Sequence, residues 1–144
     1  MMSSKARSFT VPGEPVGKAR PRVTKRGITY TPRKTAEYER LVRLCYVSKA
    51  HCALPMKGPI AMSVEAVFGV PRSATKAERA RRENGDELPQ KKPDADNILK
   101  ACADALNGLA YEDDKQICKA VVTKRYCRSE EEPHVRITLE NIAL

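Results

Sequence analysis

Tryptophan is absent and phenylalanine occurs twice, so aromatic residues make up only 5% of the 144-residue chain. A core built from this sequence is therefore mainly aliphatic. No run of 18 apolar residues exists, which excludes a membrane-spanning helix. The opening MMSSKARSFTVPG lacks the apolar centre of a secretion signal. His51 and His134 are the only histidines, and neither falls in a ligand spacing. Cys45, Cys52, Cys102, Cys118 and Cys127 contain no CxxC pair, which argues against structural zinc. An odd number of scattered thiols fits a reducing compartment, so the expected location is the cytoplasm. No phosphate-cradling GxxxxGK[ST] loop is present, so no nucleotide cofactor is expected. No Ser/His/Asp or Cys/His arrangement stands out either.

Acidic residues are in short supply as well. Lys and Arg number 27 against 18 Asp and Glu, a net charge of +9. Such an excess points to an anionic partner, and nucleic acid is the commonest. The length allows one ordinary domain and excludes an eight-fold βα barrel. The apolar share of 41% is enough for a modest core.

The charge is unevenly spread. Residues 1–43 carry +8, 44–93 carry +4, 94–114 carry −5 and 115–144 carry +2. A protein that only coats phosphate gains nothing from six carboxylates in the short segment 94–114. They repel DNA unless a cation neutralises them, and a divalent metal is the usual solution.

Arg7–Val11 reads as a short strand ended by Pro12-Gly13. Residues 14–32 are broken by proline and glycine and form a basic loop, with a small hairpin over Arg22–Tyr30 around Arg26-Gly27. A helix follows from Thr31 or Pro32 to about Ala50, with Leu41, Leu44, Cys45 and Ser48 on its expected inner face. Ile60–Val70 alternates as a strand. Residues 73–83 read as a solvated charged helix and 84–93 as a polar loop. Asp96–Asn107 reads as a helix with Ile98, Leu99, Cys102, Ala103 and Leu106 inward, stopped at Asn107-Gly108. Ile117–Cys127 and His134–Leu139 read as a closing hairpin around the turn 128–133. The expected class is α/β or α+β: a small single mixed sheet packed with helices.

The chemistry concentrates in Lys92-Pro93-Asp94-Ala95-Asp96-Asn97, then Lys100, Asp104 and Glu112-Asp113-Asp114. Inside one helix, Asp94 and Asp96 would point about 200° apart and could not share an ion. If Asp94 stays extended after Pro93 and Asp96 begins the helix, the two carboxylates can converge. Lys100 follows Asp96 by one turn, and Asp104 follows by two. Asp113 or Asp114, just before a strand, can be brought across by a sheet end. Carboxylates from two segments beside a lysine are the inventory of a magnesium-dependent phosphodiesterase site. An EF-hand is excluded, because a loop beginning at Asp94 would need oxygen, glycine and glutamate where Ile98, Leu99 and Ala105 stand. Each residue also has a plainer use: Asp94 or Asp96 as a helix cap, Asp96 with Lys100 as a surface pair, Asp113-Asp114 as a turn.

The stretch KPDADNILKACADALNGLAYEDDKQI closely resembles the signature of RusA-type Holliday junction resolvases: Asp-x-Asp-Asn, a Lys four residues after the second Asp, Asp-Ala-Leu, then Asp-Asp-x-Gln. The opening GKARPRVTKRGITYTPRKTAEYE also resembles that family's basic N-terminal region. The resemblance covers most of the chain as a single domain, 1–144, and is weakest over 73–90, which read as an insertion. It implies a small mixed α/β homodimer that presents two active sites to one DNA four-way junction. Asp94, Asp96 and Asp114 match the metal-binding carboxylates and Lys100 the catalytic lysine, with Asp113 adjacent to a matched position and Asp104 in a supporting place. One or two Mg²⁺ per site are implied, with Mn²⁺ as a substitute. Some relatives have Arg directly before the first Asp where this chain has Pro93, so Lys91 or Lys92 stands in for that phosphate contact.

On this reading the chain cleaves both strands of a junction symmetrically in DNA recombination and repair. Lys18, Arg20, Arg22, Lys25 and Arg26 grip backbone phosphates. Two rivals share the positive charge: a non-enzymatic nucleic-acid-binding protein, which leaves the acidic cluster idle, and a nuclease acting on flaps or other branched DNA.

Overall fold

The computed structural model describes residues 6–143. The strands are β1 (Ala6–Pro12), β2 (Arg22–Val23), β3 (Thr29–Tyr30), β4 (Ile60–Phe68), β5 (Ile117–Tyr126) and β6 (His134–Asn141). The helices are α1 (Arg33–Ala50), α2 (Lys76–Asn84) and α3 (Ala95–Leu106), with a single 3₁₀ turn at Asp114–Gln116. Four strands form one mixed sheet in the order β1-β6-β4-β5. The β1/β6 and β6/β4 pairs are antiparallel, and β4/β5 is parallel. The α/β class and the mixed sheet agree with the sequence reading.

The sheet's inner face carries Phe9 and Val11 from β1, Ile60, Met62 and Val64 from β4, and Val135, Ile137 and Leu139 from β6, all buried. α1 packs on β1, α3 packs on β5, and the two helices touch each other above the sheet. Alternate residues such as Thr10, Ser63, Val121 and Arg136 are exposed, as a two-residue period requires. No helix among the described residues is long and apolar enough to cross a membrane.

Two expectations are corrected. β5 and β6 do not form a hairpin; β4 lies between them. The inward residues of β6 are fully buried, whereas Cys118 to Val121 of β5 are exposed. β6 therefore gains from neighbours on both edges, and β5 is tolerated at the rim. Alternation marks a strand and not its neighbours.

The inner face of α1 is also different from the expected one. Thr35, Tyr38, Glu39, Val42, Tyr46 and Ala50 are buried, while Leu44 is 66% exposed. Tyr38, Val42 and Tyr46 recur every fourth residue and bury more area than the leucine stripe. The Tyr46 ring meets Phe9 edge-on at 5.5 Å, and its hydroxyl accepts a hydrogen bond from Arg7 Nη1 at 2.7 Å. In α3 the buried set is Ile98, Ala101, Cys102, Ala105 and Leu106, so Leu99 and Ala103 sit at the margin.

The charged segment 73–83 forms α2 from Lys76, with no buried residue and a capping box between Thr75 and Glu78. The 22–30 hairpin forms as expected. Thr24 N–H donates to the Ile28 carbonyl at 2.8 Å, and Gly27 takes φ +80° at the tip, a conformation that favours glycine. Residues 93–96 lie at the N-terminal end of α3 against the basic loop, and 112–116 follow its C-terminal end, where Asp114 N–H donates to Asn107 Oδ1.

Candidate active site

Asp94 is the residue before α3 and is extended, with φ −70° and ψ 152°. Its carbonyl accepts the first helical hydrogen bond, from Ile98 N–H at 3.0 Å. Its carboxylate makes no capping bond. Asp96 lies inside the first turn, where the helix dipole favours negative charge. Asp94, Asp96 and Lys100 are exposed, and Asp104 is half-buried. Lys100 is paired forward with Asp104 Oδ2 at 3.7 Å; among the described residues Asp96 enters no ion pair. The plainer uses of Asp94 as a side-chain cap and of Asp96 as the partner of Lys100 are therefore both unfilled.

The turn after α3 treats its two aspartates differently. Asp113 Oδ1 accepts from Lys115 N–H at 2.9 Å and caps the 3₁₀ turn. That hydrogen bond holds the Asp113 carboxyl below its ordinary pKa. Asp114 has no such use. Partial burial raises its pKa, the hydrogen-bonded Asp113 carboxylate and the nearby Asp104 raise it further, and Lys100 opposes them. Asp114, Asp104 and Lys100 thus share one electrostatic neighbourhood.

Three residues that sequence reasoning left without a site role hold this turn. Gln116 Oε1 accepts from the N–H groups of Glu112 and Asp113 at 2.9 and 3.0 Å. Its Nε2 donates to the carbonyls of Met56 and Gly58, both at 3.0 Å. Asn107 Oδ1 accepts from Asp114 N–H at 3.1 Å. Tyr111, wholly buried, donates its hydroxyl to the Ala103 carbonyl at 2.6 Å. A buried tyrosine in a short aromatic-poor chain was the available signal.

The basic loop is fastened over the start of α3. Gly17 approaches so closely that a Cβ there would lie 2.7 Å from Pro93 Cβ and 3.0 Å from Asn97 Cβ. Lys18 N–H donates to the Asn97 carbonyl at 2.8 Å, and Ala19 N–H to Thr35 Oγ1 at 3.2 Å. The result is an open groove of about 760 Å³ lined by Lys18, Arg20, Arg22, Lys34, Lys92 and Asp94, among others. Lys34 was not anticipated.

Not every predicted phosphate contact faces this groove. Lys25 and Arg26 lie exposed at the hairpin tip. Lys91 turns to the other side, its ammonium 5.7 Å from the Phe68 ring and 5.8 Å from the Tyr126 ring. The ammonium of Lys18 is drawn inward, 3.1 Å from Glu39 and 3.2 Å from Asp104. Burial disfavours its charge, but hydrogen bonds to those two carboxylates outweigh that and raise its pKa.

The side-chain donors lining the groove are oxygens, from the Asp94 carboxylate, the Asn97 amide and the Thr35 hydroxyl, the type preferred by a hard divalent cation and not by zinc. Among the described residues no three His, Cys, Asp or Glu side chains form a ready-made cage. Mg²⁺ does not require one: it keeps several waters and binds through one or two carboxylates plus substrate phosphate. The carboxylates of Asp94 and Asp96, without a capping bond or an ion pair among the described residues, fit such an ion.

Residues 12–140 match the family described as Endodeoxyribonuclease RusA. The chain belongs to this family. Its curated relatives include the uncharacterized protein YqaN of Bacillus subtilis (strain 168), 35% identical over 140 residues that cover 94% of this chain and 96% of that one. Membership in the RusA family makes the protein an endodeoxyribonuclease, a hydrolase of DNA phosphodiester bonds. DNA is therefore its partner, which removes the non-enzymatic rival. The acidic segment inside a basic chain takes its meaning from that activity.

Proposed function

We propose that the protein is a Mg²⁺-dependent Holliday junction resolvase that makes paired symmetric nicks. The observation that carries this reading is Asp94 lining a cationic groove with Asp96 in the helix turn that follows, neither of them in a capping bond or an ion pair among the described residues. Asp94, Asp96 and Asp114 hold the metal in this reading, which favours Asp114 over Asp113 because Asp113 Oδ1 already accepts from Lys115 N–H. Bound there, a divalent cation supplies an activated water and stabilises charge developing on the phosphate. Arg20, Arg22, Lys34 and Lys92 hold the backbone in the groove. Lys100, on the solvent side of α3, reaches the scissile phosphate and stabilises its added negative charge.

Two nicks at symmetric positions require two sites related by a two-fold axis, so the acting species is a homodimer. It works in a reducing, cytoplasmic setting, consistent with its five free thiols.

The test is cleavage of a synthetic four-way junction beside a flap and a linear duplex of the same sequence. The expected result is two symmetric nicks in the junction with Mg²⁺ or Mn²⁺ and none with EDTA. Preferential cutting of the flap transfers the site to the branched-DNA rival. Cleavage unaffected by EDTA removes the metal.

A further inference from the structure

Lys18 and Lys100 compete for one atom. Both ammonium groups point at Asp104 Oδ2, Lys18 from 3.2 Å and Lys100 from 3.7 Å. Lys18 is the better placed: its side chain is 14% exposed, against 63% for Lys100, so its attraction is less screened. It is held there from the other side by both oxygens of Glu39, each at 3.1 Å. Glu39 is itself a buried charge on α1 that requires a cation. The lysine's backbone is tied down as well, through its N–H bond to Asn97 one residue beyond Asp96. Gly17, with no side chain, permits that approach. So Lys18 joins the basic loop, α1 and both ends of the functional face of α3.

We propose that Lys18 is a positioning residue, whose ammonium neutralises Asp104 and thereby leaves the neighbouring Lys100 free to reach substrate phosphate. Without Lys18, Asp104 has Lys100 as its remaining close cation and draws it closer than the present 3.7 Å, down onto the helix surface. Lys18 then contributes to the reaction rate through Lys100 and does not itself grip DNA. This rests on the reading that the chain cleaves junctions through Lys100.

Four variants and two readouts test it, the Asp104→Asn single variant among them. Lys18→Met should lower the single-turnover rate on a four-way junction by about tenfold, with the salt dependence of binding unchanged. Lys18→Arg, which still reaches both carboxylates, should keep most of the rate. Adding Asp104→Asn to Lys18→Met should restore the rate, because the carboxylate that captures Lys100 is gone. The second readout needs no cleavage: labelling of lysines with an amine-reactive ester, followed by mass spectrometry. Lys100 should react several-fold more slowly in Lys18→Met and recover in the double variant, with exposed Lys34 as the internal reference. Should Lys18→Met fail to fold because Glu39 is left unpaired, Lys18→Met with Glu39→Gln replaces it.

Unchanged Lys100 labelling in Lys18→Met overturns the proposal. So does a salt slope reduced by one phosphate contact, which would make Lys18 a DNA ligand. So does an Asp104→Asn single variant that is itself inactive, because Asp104 then acts on the metal. A wild-type protein that cuts no junction defeats the resolvase reading alone, and the labelling still decides the role of Lys18.

Discussion

At the residue scale, the site is distinguished by what its carboxylates do not do. An aspartate at a helix start usually accepts a backbone N–H, worth about 1 kcal/mol. Asp94 forgoes that bond, and Asp96 forgoes its lysine. Asp113 accepts its local bond, and Asp114 carries the raised pKa. Asp96→Asn should abolish Mg²⁺-dependent cleavage, since a neutral amide binds Mg²⁺ poorly. Junction binding should persist or tighten, because one negative charge beside phosphate is lost. Cleavage and anisotropy titrations on the same preparation separate the two effects, and a variant that still cuts places Asp96 outside the site. At Gly17 the expected effect is on stability. Alanine places a methyl 2.7 Å from Pro93 Cβ, and the loop or α3 must shift. The cost should be about 1–3 kcal/mol, read from urea unfolding, and cleavage should fall because the shift occurs beside Asp94.

At the element scale, the hairpin of β2 and β3 and the irregular residues 19–21 before it form an exposed arm continuous with the groove. Arg20 and Arg22 line that groove, whereas Lys25 and Arg26 stand at its tip. Replacing Arg20 and Arg22 together by alanine should reduce the slope of log K against log salt by about 1.8, at about 0.9 per phosphate contact. The single-turnover rate at saturating protein should change much less. An unaltered slope would detach this loop from the DNA backbone. Helix α2 has a different standing. It buries no residue, and it is held by its own capping box and by ion pairs such as Arg82 with Glu87. Its basic and acidic side chains largely satisfy one another. Charge run alone therefore overstates the free positive charge of this segment, which is why 73–90 contributed nothing legible to the site.

At the scale of the whole molecule, acid stability depends on a clamp far from the groove. Arg125, near the end of β5, bonds both oxygens of Glu131 at 2.7 and 2.8 Å and also meets Glu65 at 3.5 Å. Glu131 additionally accepts from Arg128 N–H at 2.9 Å, closing the crossover between β5 and β6. The guanidinium holds the Glu131 carboxyl down at about 2. A carboxyl depressed in the folded state stabilises that state fully above its unfolded pKa of about 4.3. The contribution is lost as pH falls from there through about 2. Allowing for screening of partly exposed groups, Glu131→Gln should cost about 1–2 kcal/mol at pH 7. Its stability should converge with that of the wild type near pH 2, where Glu131 loses its charge. Denaturant titrations across pH 2–7 check this, and a constant difference across that range would show that packing and not charge is lost.

Much of this protein is readable from its sequence, for an identifiable reason. Strand alternation, proline and glycine breaks, and the charge reversal at 94–114 are local properties of the chain, and they located the strands, the loop, α3 and the acidic segment. The extended conformation of Asp94 is that of the residue preceding a helix, and the sequence places a helix start beside it, whereas Pro93 restricts Lys92. Other features depend on which segments meet. The insertion of β4 between β5 and β6 reflects which strand had more area to bury, and the inner face of α1 follows its tyrosines for the same reason. The division of labour between Asp113 and Asp114 required Gln116 and Asn107 to be in place. The inward turn of Lys18 required Glu39 from one helix and Asp104 from another. A lysine in a basic loop reads as a phosphate ligand until burial and two carboxylates compete for it, and that competition exists only after the chain has folded.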